Sequence, residues 1–118
     1  MTPTESSFVA AETIEGKCIA RVRCERVTER EATILTNEIT QAAAANGHRI
    51  AIDVSEILFL ASAGIGTFVS IDRACRANKG KMALFGLRPE ILEILKVTRL
   101  HKLFTLARSE EGALKSLS

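Results

Sequence analysis

Ser62 is the residue whose setting is most open to chemistry. It stands in the run Phe59-Leu60-Ala61-Ser62-Ala63-Gly64-Ile65-Gly66, where apolar residues give way to a hydroxyl and two glycines. Two readings fit this spacing. A serine just ahead of a helix caps it by accepting a backbone N–H. The same position also exposes the hydroxyl to modification, and a phosphate there would face free N–H groups and the positive end of the helix dipole. Gly64 and Gly66 would leave the surrounding surface flat enough for a partner's backbone to come close. Phosphorylation would add about two negative charges and repel a partner whose contact patch is apolar or acidic.

Other chemistry-bearing residues do not assemble into a reaction centre. A hydrolase or transferase needs a nucleophile, a base and a means of stabilising charge within reach of one another. His48 follows the Gly47 turn and His101 lies among basic residues, so both are expected at the surface. Asp53 and Glu56 flank a strand end, where turn and capping roles prevail. Walker A, dinucleotide-binding, paired metal-ligand and G-x-S-x-G patterns are all missing from the sequence. Cys18 and Cys24 fall on one predicted strand, about 20 Å apart at the rise of a strand, too far for a shared metal or disulfide. Cys75 lies in an apolar helical stripe, and all three read as buried, reduced thiols. Neither catalysis nor a cofactor nor a metal is expected.

The frame holding these residues is one domain. A chain of 118 residues, 47% hydrophobic and 25% charged, is enough for a single core and too short for two ordinary ones. The net charge is +2, with no Trp or Tyr to stack on bases. The denser basic groups, Arg21/Arg23/Arg26 and Arg73/Arg76/Lys79/Lys81, therefore read as solvated faces and not as a nucleic-acid site. The opening MTPTESSF has no basic and apolar regions of a signal peptide. The longest mostly apolar stretch, Ile57 to Gly66, is about half of the ~20 residues a bilayer requires. A cytoplasmic location without membrane insertion is the expectation.

Periodicity assigns the elements. Ser7–Ile14 and Lys17–Cys24 read as two strands joined by Glu15-Gly16 as a hairpin turn. Thr28 to Ala45 reads as a helix with Leu35, Ile39, Ala42 and Ala43 on one face, Thr28 at its start and Asn46-Gly47 as its stop. Arg49–Val54 is a buried strand, and Ser55–Ala61 a connection. A second helix runs from Ser62 to Asn78 on Ile65, Phe68, Val69, Ile71 and Cys75. Lys81–Gly86 is a strand, Pro89 opens a third helix with Ile91, Leu92 and Leu95 inward, and Lys102–Ala107 is a last strand. Ser109 with Glu110 and Glu111 starts a C-terminal helix. Strands alternating with helices predict an α/β fold: a mostly parallel mixed sheet, an antiparallel N-terminal hairpin near one edge, and about four helices. The stretch from Asp53 to Gly66 falls where strand carboxyl ends meet helix amino ends, the usual functional face.

The residues from Gly16 to Leu117 resemble a STAS domain of the anti-sigma factor antagonist type. That family shows a strand ending D-L-S, an apolar connection, and D-S-S/A-G-L/I-G opening a helix. Here the matches are Asp53-Val54-Ser55, Phe59-Leu60 and Ala61-Ser62-Ala63-Gly64-Ile65-Gly66. Gly80 with Leu84 to Pro89, and Ser109 to Leu114, fit the family's later strand and C-terminal helix. Two positions depart from the pattern: Ala61 replaces the usual acid, and Glu25-Arg26-Val27-Thr28 replaces a G-x-x-D loop. Residues 1–15 are expected as an N-terminal strand region and 16–118 as the STAS-like domain, one globular unit overall.

What the resemblance implies is a non-catalytic partner switch. Unphosphorylated, such an antagonist binds an anti-sigma factor that is also a serine kinase of the histidine-kinase-like ATPase fold, and phosphorylation ends the interaction. By residue match Ser62 is the phosphoacceptor. Thr28, Ala61, Ser62, Gly64, Ile65, Gly66, Thr67 and Val69 are the candidate partner surface. Thr67 itself reads as a solvent-facing helical threonine. The alternative is a constitutive scaffold subunit, stressosome-like or in a lipid-transport ATPase, in which Ser62 is only a cap. A small-ligand module would use the Glu56–Ala61 connection and the second helix as its pocket. The exposed edge of the hairpin leaves the oligomeric state open.

Overall fold

The computed structural model describes residues 8–118, so the Ser7 end of the first predicted strand and the Met1–Ser7 segment lie outside the described residues. β1 (Val9–Ile14) and β2 (Lys17–Val22) form an antiparallel hairpin. Its turn residues Glu15 and Gly16 both have positive φ, 51° and 79°, the pair of left-handed conformations a two-residue hairpin turn requires. β2 stops two residues earlier than expected, and Cys24 lies beyond its end. The premise that Cys18 and Cys24 share a strand is thereby corrected; Cys18, Cys24 and Cys75 are free cysteines in this structure.

The main sheet has the order β1-β2-β4-β6-β7, with β4 at Arg49–Asp53, β6 at Lys81–Phe85 and β7 at Thr105–Ala107. All pairings beyond the hairpin are parallel, which gives the expected mixed sheet with the hairpin at one edge. The central strands are buried on both faces, as their unbroken apolar runs demand. On one face pack α1 (Glu29–Ala44), α2 (Ser62–Ala77) and α3 (Pro89–Val97), through residues such as Leu35, Ile39, Phe68, Ile71, Ile91 and Leu95. On the other lies α4 (Glu110–Ser116), whose Ala113, with Leu117 just after it, covers Ile19, Ala51 and Phe85. Ser109 caps α4 as expected, its Oγ accepting the Gly112 N–H at 3.1 Å.

Two features depart from the sequence reading. The last strand begins at Thr105, not Lys102, because Leu100–Lys102 forms a 3-10 turn and Phe104 is drawn into the core. Within the predicted connections lie two more strands, β3 (Arg26–Val27) and β5 (Phe59–Leu60), paired in parallel as a small second sheet. Two-residue strands carry no periodicity, so nothing in the sequence announces them.

Arg21 is not part of a solvated basic face. From β2 its guanidinium meets Glu12 of β1 at 3.1 Å, Glu110 of α4 at 3.0 Å and Asp53 of β4 at 3.4 Å. The thiols of Cys18, Cys24 and Cys75 are each pushed up to about 11, chiefly by burial. Cys24 is only half-buried, whereas Cys18 and Cys75 are fully covered. At pH 8 roughly a hundredfold less thiolate is present than in an exposed cysteine, so iodoacetamide is expected to label the native protein far more slowly than the urea-unfolded chain. The folded state holds these protons above the ordinary value of 9.0, so stability is lost as pH rises from about 9 towards about 11.

Candidate functional site

The site is built where the small sheet meets the start of α2. Backbone bonds from Leu58 and Phe59 N–H to the Glu25 carbonyl (2.8 and 3.0 Å), and from Ala61 N–H to the Val27 carbonyl (3.0 Å), fix β5 against β3. The chain then turns into α2 with Ala61 as N-cap and Ser62 as the first helical residue. Ser62 is therefore not the cap. Its hydroxyl forms no hydrogen bond to the described residues, and the residue is exposed. With no cap to lose, Ser62→Ala is expected to shift stability by less than about 0.5 kcal/mol, in contrast to the ~1 kcal/mol a true cap would cost. Urea unfolding of the two proteins checks this.

The two glycines of the motif have different roles. Gly64 is buried: a Cβ there would come 2.5 Å from Leu60 Cδ1 and 2.8 Å from Val27 Cγ1. It lets the first turn of α2 close onto β3 and β5, and it does not flatten an outer surface. Gly66 is exposed with open space around it. Thr67 is also corrected, since it is 2% exposed and does not face solvent. Its hydroxyl lies 3.1 Å from the Ala32 carbonyl, 3.3 Å from the Ala63 carbonyl and 2.8 Å from the Thr36 hydroxyl, tying α2 to α1. Ile65 and Val69 are half-buried and pack against the core cluster.

Thr28 is the N-cap of α1, and its backbone N–H donates to Glu31 Oε1 at 3.0 Å. The Thr28 hydroxyl and backbone together hold the Glu31 carboxyl below the usual carboxylate range. A groove of about 380 Å³ runs between α1 and α2, lined among others by Glu29, Thr33, Thr36, Gly66 and Ser70. Of the candidate partner surface, then, the structure leaves Ser62 and Gly66 open and Thr28, Ala61, Ile65 and Val69 half-open. It buries Gly64 and Thr67.

The sequence reading missed an exposed patch a few residues before Ser62. Leu58 and Phe59 are 43% and 42% exposed, and the Arg26 guanidinium sits 4.5 Å from the centre of the Phe59 ring. The run Ile57-Leu58-Phe59-Leu60 gave no signal of this, since four apolar residues in a row are equally compatible with a strand buried on both faces. Ile57 and Leu60 turn inward, and the two residues between them stay exposed.

The remaining candidates gather no chemistry. Asp53 Oδ1 accepts the Ser55 N–H at 2.9 Å, the turn role expected of it. His48 and His101 are half-buried and not fully exposed, and neither side chain hydrogen-bonds to a described residue. Among the described residues no group of three or more His, Cys, Asp or Glu side chains is placed to hold a metal, and no helix is long and apolar enough to cross a membrane.

Comparison with known proteins places this arrangement in a family. BtrV of Bordetella bronchiseptica, which carries the name of an anti-sigma factor antagonist, is 24% identical over 100 residues, covering 85% of each chain. The crystal structure of an anti-sigma factor antagonist from Mycobacterium paratuberculosis superposes with a TM-score of 0.81 at 20% identity, over 98% of this chain and 97% of that one. SpoIIAA superposes in its unphosphorylated form with a TM-score of 0.75 at 17% identity, over 92% and 94% of the two chains. The phosphorylated form, from Bacillus, gives 0.69 at 17% identity, over 92% and 97%. A family model described as the STAS domain matches residues 8–113, which takes in both sheets, α1 to α3 and the start of α4. The chain belongs to the STAS domain family.

Proposed function

We propose that this protein is a non-catalytic, cytoplasmic partner-switching regulator of the anti-sigma factor antagonist kind, gated at Ser62. In this reading the unphosphorylated protein binds an anti-sigma factor that is also a serine kinase of the histidine-kinase-like ATPase fold. Phosphorylation of Ser62 releases it. ATP belongs to the kinase, and this chain needs no cofactor of its own.

The observation that carries the reading is the state of the Ser62 hydroxyl. It is exposed, first in its helix, and free of the capping bond that would have given it a structural reason to be there. A few residues before it in the chain Leu58 and Phe59 are exposed, with Arg26 over the Phe59 ring, an apolar and cationic patch of the kind a partner covers. BtrV and SpoIIAA lend the reading support through their names, and SpoIIAA through its two phosphorylation forms. A phosphate on Ser62 would add about two negative charges at the start of α2 and repel a partner whose contact surface is apolar or acidic.

The test is affinity capture from lysate of the source organism with wild type, Ser62→Ala and Ser62→Asp as baits, read by mass spectrometry. Wild type and Ser62→Ala are expected to retain an ATPase of the kinase type, and Ser62→Asp to lose it. Incubation of wild type with the captured kinase and ATP should add one phosphate, mapped to Ser62. Identical capture by all three baits would leave a constitutive scaffold subunit as the better reading.

A further inference from the structure

A second concavity lies away from Ser62, at the carboxyl ends of β6 and β7. It has a volume of about 450 Å³ and is lined by Gly86, Leu87, Leu92, Leu106, Ala107 and Arg108. This is within the size range of small-molecule sites, and it lies at the end of a parallel sheet where such sites are usually found.

Its walls are apolar side chains that the core leaves half-covered. In α3, Ile91 and Leu95 are buried, but Leu92 is half-buried and belongs to neither core cluster. Leu87 and Leu106 pack on the edge of the core and present their remaining surface to the cleft. The backbone opens the space. Gly86 has φ +76°, and a Cβ there would meet Ser55 Cβ at 3.0 Å and Asp53 Oδ1 at 3.1 Å, so the turn after β6 follows a path open to glycine.

The charged residue that lines the cleft is a cation. Arg108 lines the cleft and has no carboxylate within ion-pair distance among the described residues. Arg88, next to Leu87, gives its Nε–H to the Ser55 carbonyl at 2.9 Å and likewise has no carboxylate partner. Three leucines with the Arg108 guanidinium beside them complement one kind of ligand, an aliphatic body ending in an anion.

We infer that the cleft between α3 and the carboxyl ends of β6 and β7 is a binding site for a small aliphatic carboxylate, with its chain against Leu87, Leu92 and Leu106 and its carboxylate on Arg108. The site is separate from Ser62 and does not depend on the switch reading. It also lies elsewhere than the Glu56–Ala61 connection, which the small-ligand alternative in the sequence reading would use.

The test is a titration of the ¹⁵N-labelled protein with sodium octanoate, followed by amide chemical shifts, with octan-1-ol as the uncharged control. Saturable shifts are expected at Gly86, Leu87, Leu92, Leu106 and Arg108 and not around Ser62. Octanol is expected to bind at least tenfold more weakly. Arg108→Ala, at an exposed residue with no protein partner, should fold normally and remove the preference for octanoate over octanol. Leu92→Trp, filling the cleft from a half-buried position, should abolish both. Shifts scattered over the surface, or an Arg108→Ala protein that keeps the full preference for octanoate, would overturn the assignment.

Discussion

Thr67→Glu is expected to unfold the domain, whereas Ser62→Glu should leave its melting temperature unchanged or slightly raised. The two residues are five positions apart on α2, and both carry hydroxyls in the motif region. Thr67 is 2% exposed, and its Oγ1 is held among the Ala32 and Ala63 carbonyls and the Thr36 hydroxyl. A carboxylate there would be buried against carbonyl oxygens with no cation in contact, at a cost of more than about 4 kcal/mol, most of a small domain's stability. Thr67→Val removes the hydroxyl but keeps the volume, and should cost about 1–2 kcal/mol. At Ser62 a carboxylate stays in solvent and meets the positive end of the helix dipole, worth a few tenths of a kcal/mol to about 1 in its favour. Circular dichroism melts of the three variants decide the matter. A folded Thr67→Glu protein with wild-type stability would show that the α1–α2 contact opens readily, and would return Thr67 to the candidates for phosphorylation. The expected result leaves Ser62 as the hydroxyl in this region that can accept a charge without breaking the fold.

Gly80→Ala is the second large effect, and its cause is backbone and not side chain. A Cβ at Gly80 would lie 1.9 Å from the His48 carbonyl oxygen and 2.5 Å from its carbon. That carbonyl also accepts the Lys81 N–H at 2.8 Å, at the point where β6 begins beside β4. His48 cannot simply move away, since it sits in a left-handed turn, φ 58°, fixed by its N–H on the Ala43 carbonyl at 2.8 Å. The start of the β4–β6 pairing must therefore shift, and a loss of about 3 kcal/mol or more is expected from the urea midpoint. Gly66→Ala is the control. It has open space around its position in the same helix-and-strand unit, so alanine should raise stability by about 0.5–1 kcal/mol through helix propensity. If Gly66 is left small for a partner's close approach, that same variant will be more stable and bind less well.

The sequence by itself determined the α/β class, the hairpin edge, the four helices and the succession of the main strands along the chain. It could do so because each rests on a local property: period-2 or unbroken apolar runs for strands, period-3.6 stripes for helices, and Glu15-Gly16, Pro89 and Ser109 at turns and caps. It also singled out Ser62. Tertiary structure decided what the residues around Ser62 are for. The pairing of β3 with β5 joins segments more than thirty residues apart in the chain, and a two-residue strand has no pattern to read. That pairing pulled the start of α2 inward, made Gly64 a packing residue, and moved the cap from Ser62 to Ala61. It also left Leu58, Phe59 and Arg26 exposed. The burial of Thr67 has the same origin. Whether a helical threonine faces solvent depends on the helix beside it, and α1 lies more than thirty positions upstream. Hydroxyls in one short stretch thus look alike to sequence reasoning. Contacts made at long range separate the hydroxyl left exposed from the one that holds two helices together.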